Sequence, residues 1–210
     1  RSLGNPSVVI SQVVNFCDGE PVLKRTPEND LIEVYKYSDY LAREITVGQT
    51  CSRVIVKRSV VERTGVFRPK ATAFPFDITD MLLLLGDSSP CVIVNRPYSV
   101  AYRVHASNTI QRSDYMIRSF PRLIELERDG SYPGGTLRRF ERQALIGAMA
   151  WNWVRIASQQ KKFRLVTWLL WQSGHLVAIA VLHKFSQQLR RKTPAIELGN
   201  LCSLKPTGSF

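Results

Sequence analysis

Two carboxylates, Asp77 and Asp80, stand three residues apart in Phe76-Asp-Ile-Thr-Asp-Met-Leu-Leu-Leu-Leu85. On a helix that spacing puts both on one turn. One carboxylate there is accounted for by capping and a favourable contact with the helix dipole. A second, beside a wholly apolar helix and followed by a histidine, is more than a cap requires. Carboxylate and imidazole together suit a divalent cation, and a carboxylate held in a pocket suits general-base work. The histidine is His105, in Ala101-Tyr-Arg-Val-His-Ala-Ser-Asn108. At a strand end it is either a ligand or an ordinary hydrogen-bonding residue. Tyr102 and Arg103 beside it form a polar pair able to face a phosphate. The other two histidines, His175 and His183, lie in an apolar run and read as packing or interfacial residues. The chain contains no P-loop, no G-x-G-x-x-G, no H-E-x-x-H and no defensible Ser-His-Asp order.

These residues need elements to hold them. Ser7 to Phe16 is rich in β-branched residues and reads as a strand, followed by an Asp18-Gly19 turn and a short return at Pro21 to Leu23. Residues 31–45 have mixed periodicity, and a helix is expected from about Tyr35. Cys51 to Lys57 alternates as a strand. Ser59 and Glu62 have capping-box spacing, and Gly65 supplies a left-handed stop to the short helix they open. Residues 67–76 form a loop. Asp77 or Thr79 then caps a helix through Met81 to Leu85, which has no polar face and should be buried all round. Cys91 to Val94 is a strand, and Pro97 separates it from a second, Ser99 to Val104. This order gives an α/β fold: a mixed sheet with flanking helices over residues 1–112.

From Ser113 the pattern turns helical. Ser113 opens a segment running to Arg128, with a restart at Pro121, and Asp129-Gly-Ser-Tyr-Pro-Gly-Gly135 is a loop. Thr136 caps a long helix to about Gln160. Phe163 to Phe185 is the most apolar run, interrupted at Gln172-Ser-Gly-His175 and basic at both ends. It reads as a helix or two half-helices packed on the preceding ones, with an interfacial membrane helix as the other reading. Residues 113–192 thus form a basic helical extension, and 193–210 an irregular tail.

The formal charge of +12 makes an acidic partner worth considering. It is concentrated: residues 113–193 carry 14 Lys/Arg against 5 Asp/Glu. An anionic membrane surface fits this segment. Nucleic acid is the weaker reading, because Trp151, Trp153, Trp168 and Trp171 fall at helical spacing within apolar runs, which suits core or interfacial anchors better than base stacking. The cysteines, 17, 51, 91 and 202, form no C-x-x-C pair. Free thiols in a reducing compartment are expected, hence a cytoplasmic chain, peripheral at the inner face of the cell membrane.

Four stretches taken in order carry a resemblance. They are Cys51-Ser-Arg-Val-Ile-Val-Lys-Arg58, Ser59-Val-Val-Glu-Arg-Thr-Gly-Val-Phe67, Phe74-Pro-Phe-Asp-Ile-Thr-Asp-Met81 and Pro97-Tyr-Ser-Val-Ala-Tyr-Arg-Val-His-Ala-Ser-Asn108. Together, over about residues 8–108, they resemble the acceptor-side half of a family 2 inverting glycosyltransferase of the GT-A fold. The family pattern is R-R-S-x-x-E-x-x-G-G-F, then E-D-x-D-L-x-L-R-L, then Y-R-x-H-x-x-N. The resemblance implies a nucleotide-sugar donor, a carbohydrate or lipid-linked acceptor of the cell envelope polysaccharide kind, and a divalent metal, Mg or Mn. It implies direct displacement, with a carboxylate taking the acceptor proton. Ile78 stands where the pattern has the base aspartate, so that role falls to Asp77 or Asp80. His105 takes the metal or diphosphate position, and Tyr102 and Arg103 the substrate-binding ones. No Asp-x-Asp occurs in the 210 residues. The resemblance therefore implies that a nucleotide-binding half lies upstream of Arg1, and that this chain alone turns over little or nothing.

Overall fold

β1 (Val8–Ser11) is central in the computed structural model, which describes residues 4–17, 19, 33–42, 51–66, 75–96, 98–105 and 112–190. Val8 and Ile10 are buried, as a strand rich in branched side chains at the centre of a sheet requires. β1 pairs in parallel with β5 (Cys91–Arg96) and antiparallel with β4 (Val54–Val56). β3 (Glu33–Tyr37) adds antiparallel to β5, so the order is β3-β5-β1-β4. The chain between β1 and β5 includes α1 (Arg58–Thr64) and α2 (Asp77–Leu84), consistent with the crossover a parallel pair needs.

The expected strand 7–16 breaks once. Gln12 leaves the ladder, and β2 (Val13–Phe16) pairs in parallel with β6 (Val100–Arg103) as a separate ribbon. The break is bridged: Gln12 N donates to Val94 O at 3.0 Å, and Ser99 N to Gln12 O at 3.4 Å. The Gln12 side chain donates to Asn95 Oδ1 at 2.7 Å and accepts from Arg53 Nη2 at 3.2 Å. A glutamine here satisfies polar groups from β5 and from the turn that precedes β4, where the backbone ladder lapses.

Several local expectations change. The strand expected over Cys51 to Lys57 shortens to β4, because Cys51–Arg53 form a 3-10 turn before it. The helix expected from Tyr35 is instead strand β3. Val34, Tyr35 and Tyr37 suit a pleated ribbon, and pairing with β5 outweighs the weak helical periodicity. The Ser59–Glu62 capping box does not form. α1 starts one residue earlier at Arg58, with no side-chain cap, and Glu62 pairs with Arg58 Nε at 2.8 Å. Nor do Asp77 or Thr79 cap α2: Phe76 holds the N-cap position, Asp77 is the first helical residue, and Thr79 is buried within the first turn. Ser113 likewise lies inside α3 (Ser113–Ser119) rather than before it. Other expectations hold. Gly65 ends α1 at φ 61°, its N–H donating to Val61 O. A new helix, α4 (Pro121–Arg128), begins at Pro121. Thr136, by contrast, does not cap the long helix: it opens a 3-10 turn, Thr136–Arg138, and α5 (Arg139–Gln159) follows with Arg138 at its N-cap position and no side-chain cap. The return at 21–23, the loop at 67–74 and the tail from 193 lie outside the described residues.

The C-terminal region is helical, and α6 (Phe163–Arg190) is a single helix without a break at Gln172 to His175. It runs back along α5. One hydrophobic core is shared across Arg112: Val8, Ile10, Leu82 and Leu83 belong to the same cluster as Ile117, Leu123, Ile146, Leu169 and Leu176. Phe76 is the hinge of that continuity. Its ring meets Phe120 edge-on at 5.4 Å and Trp153 at 6.3 Å, joining the start of α2 to the helical region.

Candidate functional site

The first turn of α2 presents its two carboxylates to different environments. Asp77 is exposed, and its Oδ1 accepts from the Ile78 amide at 2.7 Å. Asp80 is buried, only 6% exposed. Leu82 and Leu83 beyond it are fully buried, so the apolar run pulls the helix into the core and takes Asp80 along. A carboxylate so placed needs hydrogen-bond donors. Tyr132 Oη supplies one, donating to Asp80 Oδ1 at 3.0 Å. Tyr132 is itself buried. Burial, and then the adjacent Asp80 charge, push its phenol far above tyrosine's usual range, so it is a firm donor at all ordinary pH.

Tyr132 belongs to the Ser131-Tyr-Pro-Gly-Gly135 loop, which is fastened in two further places. Arg142, in the first turn of α5, reaches back to Pro133 O at 2.6 Å and Gly135 O at 2.9 Å. Its Nε and Nη2 hold the Glu127 carboxylate at 2.7 and 3.1 Å, a two-pronged pair with both side chains 3% exposed. Arg138 pairs with Asp39, just after β3. The loop therefore clamps α2 and the end of β3 to the helices.

Ile78, partly buried, packs against the core. Tyr102, Arg103 and His105 lie together at the end of β6. Tyr102 is half-buried, and Arg103 and His105 are exposed. The Val104 amide donates to Phe16 O at 2.8 Å, which carries the ladder with β2 up to the residue before His105. Backbone order at this end is thus imposed by β2, and the polar side chains emerge where the ladder runs out. Asp77, Asp80 and His105 do not gather into a cation site: among the described residues no three His, Cys, Asp or Glu side chains form a metal-sized group.

A second polar junction sits at the turn between α5 and α6. Lys162 donates to Ser113 Oγ at 2.9 Å and pairs with Asp114. The hydrogen bond that Lys162 donates to the Asp114 carboxylate holds it below the usual carboxylate range.

Several of these partners are not visible in the sequence. Tyr132 is 52 residues from Asp80. Its one signal is an aromatic inside a Pro-Gly-Gly turn, a place where surface loops rarely need a large side chain. Arg142 and Glu127 carry no signal beyond their charge. Cys17 is exposed and Cys91 is buried in the core.

No family model, curated protein or solved structure matches this chain.

Proposed function

We propose that this chain supplies the acceptor side of a GT-A-type family 2 inverting glycosyltransferase, moving a sugar from a nucleotide-sugar donor to a carbohydrate or lipid-linked hydroxyl. The observation that carries the reading is the contrast between the two carboxylates of α2. Asp77 is open to a substrate, whereas Asp80 is buried against Tyr132. We assign Asp77 as the proton acceptor and Asp80 as a positioning residue that fixes the first turn of α2.

In this reading the acceptor oxygen attacks the anomeric carbon of the donor. The bond from that carbon to the diphosphate oxygen breaks, its electron pair leaves with the nucleoside diphosphate, and the acceptor proton passes to Asp77. General-base help of this kind is worth about 10²–10⁴ in rate. Arg103, exposed at the end of β6, supplies positive charge for a phosphate, with exposed His105 two residues on, and Tyr102 on the other face of the strand is left for the acceptor. In this reading a divalent metal would offset charge on the leaving diphosphate, with His105 as this chain's ligand to it.

The test uses the full-length protein. Calorimetric titration of UDP and UDP-glucose should show binding that requires Mn²⁺. Asp77→Asn should lower sugar transfer at least a hundredfold without altering nucleotide binding. Absence of Mn²⁺-dependent binding to any nucleotide sugar would overturn the reading. Transfer that survives in an Asp77→Asn, Asp80→Asn double variant would overturn the site. The 210-residue chain alone should show no turnover.

A further inference from the structure

α6 has two faces of opposite fate. Leu169, Ser173, Leu176 and His183 are buried, and this side lies along α5. The other side stays apolar but is open. Phe163, Leu170, Trp171, Val181, Leu182 and Phe185 recur at helical steps along it, with Trp171 86% exposed and Phe163 and Phe185 above 60%. Gly174 and Ala178 fall on the same side, and the polar residues there are few: Thr167 near one end and His175 along the edge beside Trp171, both exposed. Single exposed apolar residues need no explanation, but a stripe running the length of a 28-residue helix does.

The surrounding charge says what could cover it. Between Arg142 and Arg190 the chain has seven Lys or Arg and no Asp or Glu. Lys161, Lys162 and Arg164 stand at one end of α6 and Lys184 near the other. A proteinaceous groove for such a helix would have to be apolar in its middle and acidic at both ends. An anionic bilayer surface offers that combination without design: acyl chains for the stripe and lipid phosphates for the cations. Trp171 suits the boundary between the two.

The segment Phe163–Gln187 is long and apolar enough to cross a bilayer. Its surroundings favour lying flat. One side is held along α5, whose first turn carries the buried Arg142–Glu127 pair and which also packs on α3 and α4. A transverse path would draw that assembly into hydrocarbon. Cations at both ends of α6 fit a helix whose two ends meet the same leaflet.

We infer that the open face of α6, centred on Trp171, Leu182 and Phe185, inserts in the plane of an anionic lipid surface and seats the folded domain on it. This inference is independent of the transferase reading, since it concerns only the helical region and needs no nucleotide.

The test is flotation of the 210-residue chain with vesicles of phosphatidylcholine alone or with 30% phosphatidylglycerol. The chain should float with the anionic vesicles at low salt and be largely released at 0.5 M NaCl. Neutral vesicles should bind it at least tenfold more weakly. Trp171→Asp/Phe185→Asp should lower anionic binding at least a hundredfold while the circular dichroism spectrum is kept. Lys161→Glu/Arg164→Glu, remote from the core, should lower it more than tenfold at low salt. No flotation with anionic vesicles, or equal flotation of the aspartate-bearing variant and the parent, overturns the inference. So does a concentration-dependent dimer, dissolved by the same aspartates, in a chain that ignores vesicles, because the face would then belong to a second copy. Flotation that appears only after deletion of residues 193–210 would also overturn it, assigning the face to the chain's own tail.

Discussion

Tyr132 Oη donates to the Asp80 carboxylate at 3.0 Å, and both side chains are buried. The bond spans the two halves of the chain: α2 and the sheet on one side, the loop entering α5 on the other. Tyr132→Phe keeps the ring and deletes the donor, leaving a buried carboxylate short of one hydrogen bond. A loss of about 1–3 kcal/mol is expected in urea unfolding. Asp80→Asn keeps an acceptor for the phenol and should cost less. In a double-mutant cycle the two changes should couple by at least about 0.5 kcal/mol. Additive effects would mean that the bond contributes nothing to the junction.

The same phenol sets an alkaline limit. Its folded pKa is raised above the unfolded value of 10.0, so its contribution is fully present below that value. As pH rises past 10 the unfolded chain ionises this tyrosine while the folded chain holds it neutral. The free-energy gap then closes by up to about 1.4 kcal/mol for each pH unit. Unfolding midpoints between pH 8.5 and 11 should therefore fall more steeply for the parent than for Tyr132→Phe. Parallel curves would refute the assignment.

The Arg142–Glu127 pair is the second fastening of the loop. Arg142→Met removes the cation and strands Glu127 among buried neighbours, which costs about 3–5 kcal/mol. It also takes the donors from Pro133 O and Gly135 O. An apolar replacement of both partners, Arg142→Met with Glu127→Leu, should recover part of the loss, because no charge is then left buried alone. Guanidinium unfolding of the single and double variants reads this directly. A double variant less stable than either single would be the contrary result.

What the sequence made legible follows local physics. The β-branched run of β1, the left-handed stop at Gly65 and the restart at Pro121 rest on a few adjacent residues, and all are found. α2, expected to be buried all round, buries only Leu82 and Leu83 of the apolar residues within it, while Met81 and Leu84 stay half-buried. β3 was misread because five residues hold too little periodicity to choose between helix and strand. The choice is made by β5, which lies more than fifty residues away. The break at Gln12 has the same character, since its side chain is useful only where Arg53 and Asn95 converge. Asp77 and Asp80 were found by residue type and spacing. Their opposite burial was not, because it depends on Tyr132 arriving from a loop in the other half of the chain. The exposed stripe of α6 was legible only as hydrophobicity. Which side faces α5 depends on Gly147 and Leu176.

That last contact yields the most direct test of the helical region. α5 and α6 approach so closely at Gly147 that a Cβ placed there would lie 1.9 Å from Leu176 O and 2.4 Å from Leu176 C. Both are backbone atoms in the middle of a helix and cannot swing aside as a side chain could. In a free helix Gly→Ala stabilises by about 1 kcal/mol. Here the sign should reverse, because the added methyl forces the two axes apart and opens contacts around Leu169, Leu176 and Ala150. Overpacking of this kind costs about 1–3 kcal/mol, and more where backbone must move. Gly147→Ala should therefore lower the unfolding midpoint by several degrees. Gly174→Ala is the control on the neighbouring helix, since an added Cβ there meets nothing within 4 Å. It should be neutral or stabilising. If Gly147→Ala proves as stable as Gly174→Ala, the two helices do not cross at this point, and the division of α6 into a buried and an open face would have to be redrawn.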